Sequence, residues 1–311
     1  MLVKDMTLMN VNICSWMSDC REKISGKTLQ KILLPGSHHS GIYQTTRLKN
    51  NCISNKWGIH QGLTIIEQLH IGIRFFDLQV VYTDELEFRV YNDSYEGVTI
   101  LEIIDQINLF LTKYPDEFIV IHVRQFMNCQ NQPWTFGIHE HFYESCLVKL
   151  SLIASINSKY TLEQLWSRSE RVLLVYGDND QLIHQMLPLL SVYSQSVNAY
   201  TDLIGIHNTS VSSQIYQNIS TSLNQSSWTN IFINTHILTT VDTKTIILGL
   251  LLPCFYPNSL RVKTRCIRTH LLDWCRKNLF RVNIILLDWV EDYDITSLVL
   301  LNCTNPVEIS I

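Results

Sequence analysis

The sequence lacks an apolar run long enough to span a membrane and has no excess of positive charge. Its longest apolar run, Ile246 to Leu252, stops at Pro253 and is far short of the ~20 residues that a spanning helix needs. The net charge of -4 disfavours a nucleic-acid partner and offers no polybasic membrane anchor. The first twenty residues contain neither a basic segment before an apolar core nor a small-residue cleavage site. This absence argues against a secretory signal.

Cysteine is present without a pattern. The nine cysteines are an odd number, are scattered along the chain and include no CxxC pair. They do not resemble a disulfide framework or a zinc-ligand set. We interpret them as buried or free thiols in a reducing compartment, which predicts a cytoplasmic location.

Apolar residues are plentiful. Hydrophobic residues make up 46% of the chain and charged residues 17%, which is enough to build a sizeable core. A length of 311 residues suits one (β/α)8 barrel, which takes about 250 residues before insertions. No repeat, linker or low-complexity tract divides the chain. We therefore predict one domain over residues 1–311, with a lead-in over about residues 1–28.

Strand-length apolar runs alternate with segments of helical spacing. The runs are apolar on both faces, as a parallel sheet covered by helices requires: Ile32 to Leu34, Ile73 to Val81, Phe118 to Val123, Val172 to Tyr176, Ile231 to Ile233 and Val282 to Leu287, with a weaker candidate at Leu86 to Tyr91. Helices are predicted from Thr99 to Lys113, from a capping box at Thr161, and from Arg265 to Asn278. This α/β alternation allows either an open doubly wound sheet or a closed barrel.

The first apolar run ends at Pro35-Gly36 and is followed by Ser37-His38-His39-Ser40. A buried strand that delivers polar groups into a loop is typical of barrel active sites. His38 and His39 are therefore the first candidates for chemistry.

Seven segments, in order, resemble the X-domain family of phosphatidylinositol-specific phospholipases C, and in particular its small stand-alone eukaryotic members. They are Trp16-Met17-Ser18, LLPGSH ending at His38, EQLHIGIRFFDL from Glu67 to Leu78, YPDEFIVIHVRQF from Tyr114 to Phe126, TLEQLWSR from Thr161 to Arg168, RVLLVYGD from Arg171 to Asp178, and NIILLDW ending at Trp289. The resemblance implies a distorted TIM (β/α)8 barrel, in which the last strand adjoins the first. Asp288 would then lie beside His38.

In that family, the inositol 2-hydroxyl attacks phosphorus and the diacylglycerol oxygen leaves. One histidine acts as base and a second as acid, each oriented by a carboxylate. The resemblance assigns the base to His38 and its orienting carboxylate to Asp288, and it also matches Asp77.

The other half of that site departs from the family pattern. His39 stands where the family has Asp or Asn, and Gln79 stands where it has Arg, or Asp in calcium-dependent members. The second catalytic histidine is replaced by Tyr91 or Val90, depending on one gap. We therefore expect a phosphoric diester hydrolase of the phospholipase C type whose activity is weak or lost. The alternative is a pseudoenzyme that binds a phosphoinositide or other phospholipid head group without turnover.

Several residues keep more than one interpretation. His39 is a loop residue, a replacement acid or a metal ligand. Asp77 lies in an apolar run and needs a partner there, for which Arg74 is a candidate. Arg124 is either a salt-bridging residue or a phosphate contact. Tyr176 and Asp178 are candidates for lining the pocket. Five other histidines are interpreted as structural: His60, His70, His122, His139 and His141.

No cofactor is expected. Calcium prefers several oxygen ligands and is disfavoured by His39 and Gln79, although a divalent cation held by His39 and Asp77 is an alternative. The expected partner is a phospholipid or inositol phosphate, with peripheral membrane contact, no nucleic acid and no transmembrane segment.

Overall fold

The computed structural model describes residues 11–44, 56–92, 95–151, 160–177, 234–237, 259–268, 271–278 and 283–303. Within these ranges the strands are β1 (Leu34–Ser37), β2 (Phe75–Tyr82), β3 (Phe88–Asn92), β4 (Tyr95–Thr99), β5 (Ile119–Asn128), β6 (Val172–Tyr176), β7 (Asn234–Ile237) and β8 (Ile284–Leu287). The α-helices are α1 (Trp16–Asp19), α2 (Arg21–Ile24), α3 (Ile65–His70), α4 (Ile100–Lys113), α5 (Phe136–Ser145), α6 (Leu162–Trp166), α7 (Leu260–Arg268), α8 (Leu271–Asn278) and α9 (Asp292–Cys303). Short 3-10 helices cover Ile13–Ser15, Leu29–Lys31 and Leu147–Lys149.

The strands form a distorted (β/α)8 barrel with a mixed sheet. Parallel pairing runs through β6, β5, β2, β1, β8 and β7, so the first and last strands of the sequence are neighbours, as expected. β3 departs from this pattern because it pairs antiparallel with the end of β2 and with β4. Tyr91 lies on β3 and therefore does not end one of the parallel strands that the (β/α)8 resemblance implies.

Most of the predicted elements overlap observed ones, but the run predicted at Ile32 to Leu34 shares only Leu34 with β1, and β4 was not predicted. Thr99 caps α4 by accepting from the backbone N–H of Glu102, and Thr161 forms the predicted capping box with Gln164. The predicted helix from Arg265 to Asn278 is observed as two helices, α7 and α8. The strand predicted at Ile231 to Ile233 lies outside the described residues, and β7 follows directly after it.

The core lies between the sheet and the helices. The apolar face of α4 is buried, as its helical spacing predicts. Arg74 is also fully buried, and its guanidinium pairs with Glu117 at 2.7 Å. The candidate pairing of Arg74 with Asp77 is therefore wrong. Residues three apart on a strand face opposite sides, and Arg74 reaches the helical side of the sheet.

A disulfide joins Cys20, beside α2, to Cys303 at the end of α9, with Cα atoms 5.5 Å apart. The interpretation of the cysteines as buried or free thiols is wrong for these two, which are buried but joined as a disulfide. Their separation of 283 positions along the chain explains why spacing alone could not pair them. Cys14, Cys129, Cys146 and Cys275 are free.

None of the helices in the described ranges combines the length and the apolar character needed to cross a bilayer.

Candidate active site

The pairing of β1 with β8 places His38 beside Asp288. Ser37 is in register with Leu287, and each of these residues is followed directly by one member of the pair. The backbone N–H of His38 also donates to the carbonyl of Leu287 at 2.9 Å. His38 Nδ1 lies 2.8 Å from Asp288 Oδ1. The two residues that the sequence singled out as base and orienting carboxylate thus form a hydrogen-bonded pair.

His60 is the residue that sequence reasoning missed. It was interpreted as structural, yet its Nδ1 also lies 2.8 Å from Asp288 Oδ1. One carboxylate oxygen therefore contacts two imidazoles. His60 Nε2 lies 2.6 Å from the Asn92 side-chain amide. No local sequence signal marks His60, because its position depends on the neighbouring Gln61, which is fully buried in the structure and needs specific backbone partners.

Gln61 fixes the loop that carries His60. Its side-chain amide donates to the carbonyls of His38 and Leu287 at 2.7 and 3.0 Å, and its Oε1 accepts from the N–H of Val290. The backbone N–H of Trp289 donates to the carbonyl of His60 at 2.7 Å. These bonds join the loop to the ends of β1 and β8, so His60 is held against Asp288.

Asp77 lies inside the barrel and is paired with Arg124. Arg124 Nε and Nη2 donate to the two Asp77 oxygens at 2.6 and 2.8 Å. The register of β2 with β5 explains the contact, since Asp77 is opposite His122 and Gln79 is opposite Arg124 on the same face. Arg124 is thus the partner that the buried Asp77 requires. The alternative in which Asp77 and His39 hold a cation stays a prediction, and Arg124 already donates to both oxygens of this carboxylate.

Gln79 contacts the guanidinium from the neighbouring strand. With its amide oxygen turned toward Arg124, Gln79 accepts from Nη1 at 2.7 Å. Gln79, at the position where the resemblance implies a cation, is therefore neutral, but the guanidinium of Arg124 on β5 contacts it.

Strand pairing decides between Val90 and Tyr91. Val80 is opposite Val90 and Val81 is opposite Arg89, which places Tyr91 opposite Gln79 and on its face of the sheet. Val90 is buried on the other face. The Tyr91 hydroxyl donates to the backbone carbonyl of Gln125 at 3.0 Å.

Tyr176 faces away from this site. It is in register with Val123, one residue before Arg124, and therefore lies on the helical side of the sheet. Its ring stacks on Phe126 at 4.5 Å, and its hydroxyl lies 2.6 Å from His139 Nδ1 on α5. The pocket-lining prediction is wrong for Tyr176, while Asp178 lies outside the described residues.

Both carboxylates of the site are ionised. Burial alone would raise the pKa of Asp77, but the charge and hydrogen bonds of Arg124 outweigh it and hold that pKa well below its usual range. Burial likewise opposes ionisation of Asp288, and the two neighbouring imidazoles, His38 and His60, outweigh it so that its pKa is also well lowered. Neither carboxylate can donate a proton at neutral pH.

His39 is neutral at physiological pH. Burial lowers its pKa well below the usual range, and the neighbouring imidazoles of His38 and His60 lower it further. A histidine in this state carries no extra proton to donate. The hypothesis that His39 acts as a replacement acid is therefore not supported.

Backbone strain occurs beside both members of the pair. His39 has a φ of 45° and Trp289 a φ of 48°, in the left-handed region that residues other than glycine rarely adopt. Each directly follows a member of the His38–Asp288 pair. Such strain costs of order 1–3 kcal/mol per residue and clusters at functional sites.

Known proteins resemble this chain in both sequence and structure. No family model matches the sequence. The PI-PLC X domain-containing protein 1 of Homo sapiens is 24% identical over 200 residues, covering 56% of this chain and 60% of the relative. The PI-PLC X domain-containing protein 2 of Homo sapiens is 28% identical over 184 residues, covering 52% and 59%. The chain thus spans about 60% of the length of these two relatives.

Solved bacterial enzymes share the fold over nearly the whole chain. A phosphatidylinositol-specific phospholipase C of Staphylococcus aureus superimposes with a TM-score of 0.68 at 16% identity, covering 94% of this chain and 98% of that one. The enzyme from Listeria monocytogenes gives a TM-score of 0.66 at 15% identity, covering 94% and 99%. The chain is a relative of the PI-PLC X-domain proteins. The distorted barrel expected for this family is likewise confirmed.

Proposed function

We propose that the protein is a phosphoric diester hydrolase of the phospholipase C type, acting weakly on a phospholipid with an inositol head group. The observation that carries this proposal is the His38–Asp288 hydrogen bond of 2.8 Å at the carboxyl ends of β1 and β8. A neutral imidazole whose Nδ1–H donates to a buried carboxylate presents its Nε2 lone pair as a base. Similarity to proteins named for the PI-PLC X domain supports the choice of substrate class.

In the proposed reaction, His38 takes the proton of the inositol 2-hydroxyl as that oxygen bonds to phosphorus. The bond from phosphorus to the diacylglycerol oxygen breaks, and solvent water supplies the proton that the departing oxygen takes up. Asp288 stabilises the imidazolium that forms on His38. Arg124 is the cation proposed to face the phosphate. Its salt bridge with Asp77 offsets its charge and so reduces the stabilisation it can provide.

The proposed weakness follows from the proton donors. Among the described residues near His38, Asp77 and Asp288 are ionised and His39 is neutral. Tyr91, at the position implied for the acid, donates its hydroxyl proton to a backbone carbonyl and has a reference pKa of about 10. Missing general-acid assistance costs on the order of 10²–10⁴ in rate.

The test measures release of inositol phosphates from phosphatidylinositol vesicles, with the Staphylococcus aureus enzyme as reference. We expect a rate at least about 10³-fold below the reference. His38→Ala should abolish this activity. The control variant His141→Ala, which changes an exposed side chain, should retain it. A rate comparable with the reference would refute the missing acid and point to His60 in that role. Activity that persists in a folded His38→Ala variant would refute the base.

The second candidate function is head-group binding without turnover, which the same shortage of proton donors favours. Cosedimentation with phosphatidylinositol vesicles, compared with phosphatidylcholine vesicles, distinguishes it. Preferential binding without measurable release would support the pseudoenzyme. Release that depends on His38 would refute it.

We also propose a cytoplasmic location with peripheral membrane contact. The Cys20–Cys303 disulfide gives this proposal a direct test, because disulfides are rare in the cytosol. Both cysteines are buried, so cells are quenched with acid and the protein is alkylated after denaturation. Both residues should be modified if the compartment is reducing. Protection of Cys20 and Cys303 in the denatured, unreduced protein would place it in an oxidising compartment instead.

A further inference from the structure

Three imidazoles converge at the mouth of the barrel. His38, His39 and His60 each offer one ring nitrogen within 4.8 Å of those of the other two. Their ring centroids are 3.9 Å apart for His38 and His39, 4.4 Å for His39 and His60, and 5.4 Å for His38 and His60. The phosphodiesterase proposal uses only His38, so His39 and His60 remain without a function.

His39 has a polar atom that nothing in its surroundings satisfies. Its Nδ1 is buried without a hydrogen-bond partner, and the residue as a whole is only 6% exposed. A buried unsatisfied polar atom costs about 1–3 kcal/mol, and this one is held in place by a backbone with positive φ. An unsatisfied nitrogen in a strained, buried loop beside two other imidazoles is suited to binding a ligand.

Asp288 supplies the carboxylate that metal-binding histidines commonly contact. Ligating histidines almost always donate their second N–H to a carboxylate, carbonyl or water. His38 and His60 both place Nδ1 at 2.8 Å from Asp288 Oδ1, which leaves Nε2 of each ring to bind an ion. At His60 this nitrogen lies 2.6 Å from the Asn92 side-chain amide, so the ion would replace that contact. Two buried carboxylates, Asp77 and Asp288, outnumber the single guanidinium of Arg124, so a positive ion is favoured electrostatically.

We propose that His38, His39 and His60 bind a divalent transition-metal ion of the Zn²⁺ class. Imidazole nitrogens select zinc, copper, nickel and iron over calcium and magnesium, which prefer oxygen. Zinc–nitrogen bonds of about 2.0–2.1 Å place the nitrogens of a tetrahedral site roughly 3.3 Å apart. The three nitrogens lie within 4.8 Å of one another, so they must move closer together to hold the ion. Three histidines leave a fourth position open to water or to a phosphate oxygen.

This inference and the phosphodiesterase proposal both use Nε2 of His38, which cannot hold a metal ion and take a proton in the same molecule. Metal binding is therefore measured without substrate, so that the two proposals are tested separately. The metal-free protein is titrated with Co²⁺ and with Zn²⁺. We expect one equivalent to bind and the Co²⁺ complex to show the visible absorption of a four-coordinate ion. His39→Ala and His60→Ala should each weaken binding at least about tenfold.

The matched control is His141→Ala, which removes an exposed histidine on α5. It should leave the affinity unchanged, and circular dichroism checks that each variant is folded. Absence of saturable binding to the wild-type protein would overturn the proposal. Equal affinity of wild type, His39→Ala and His60→Ala would also overturn it.

X-ray absorption of the zinc-loaded wild-type protein decides the matter even if the alanine variants do not fold. Three imidazole nitrogens at about 2.0–2.1 Å support the proposed site. A first shell dominated by sulfur or by carboxylate oxygen refutes it.

Discussion

Replacing Arg124 by Met is expected to destabilise the protein strongly, because it leaves the Asp77 carboxylate without its cationic partner inside the barrel. Asp77 is fully buried and both of its oxygens accept from Arg124. Removing one partner of a buried ion pair costs about 3–5 kcal/mol, since the other charge stays uncompensated. We therefore expect the free energy of unfolding of Arg124→Met to fall by about 3–5 kcal/mol at pH 7.5.

A double-mutant cycle isolates the interaction from the loss of packing. Asp77→Asn keeps the shape of the side chain and removes its charge. In the double variant the two losses should not add, and the coupling energy should be about 1.5–3 kcal/mol. Urea denaturation of the four proteins supplies the four free energies. The control is Arg21→Met, which breaks the exposed pair with Glu163 and should cost less than about 1 kcal/mol.

The Asp77–Arg124 pair also predicts how the stability difference between wild type and Arg124→Met depends on pH. The native pKa of Asp77 is lowered, so its ionisation stabilises the wild type above the unfolded-state pKa, and this stabilisation is lost as pH falls through the native pKa. In Arg124→Met, the burial of Asp77 dominates and raises its native pKa. The unpaired charge therefore destabilises the variant only at pH values above that raised pKa. The stability difference should therefore be smaller at pH 4.5 than at pH 7.5. A coupling energy below about 0.5 kcal/mol, or a difference that grows on acidification, would refute the assignment of Arg124 as the partner of Asp77.

Three further results are expected. Cys20→Ser with Cys303→Ser should lower the free energy of unfolding by about 2–5 kcal/mol because a disulfide joins the two residues; an unchanged urea midpoint would contradict this. Thr161→Ala should cost about 0.5–2 kcal/mol by removing the cap of α6, whereas Thr161→Ser should retain most of that stability. His39→Asp combined with Tyr91→His should raise inositol phosphate release while neither change alone does so, because a histidine acid needs its orienting carboxylate; equal rates for the wild type and a folded double variant would contradict it.

The sequence predicted the elements whose signals are local. Thr99 and Thr161 mark helix starts through a side chain and a backbone N–H three residues apart. The His38–Asp288 contact was predicted only because the resemblance implied a closed barrel, since periodicity left an open sheet equally possible. In the described residues, the register of β1 with β8 bears that contact out.

The interactions that the sequence did not predict depend on register and on long-range packing. Arg124 reaches Asp77 because β5 lies beside β2 with Gln79 opposite Arg124, and strand neighbours cannot be deduced from apolar runs. His60 reaches Asp288 through the buried Gln61, whose partners lie at the ends of two other strands. Tyr176 was misjudged because a one-residue difference in position reverses the face of a strand.

The contact between His38 and Asp288 joins residues 250 positions apart, and this separation has a consequence for biogenesis. While the polypeptide is being synthesised, β1 and its histidine emerge from the ribosome long before β8 exists. No partly made chain can contain the oriented imidazole, whatever else of the barrel has already folded. The oriented imidazole therefore arises in the same event that brings β8 against β1.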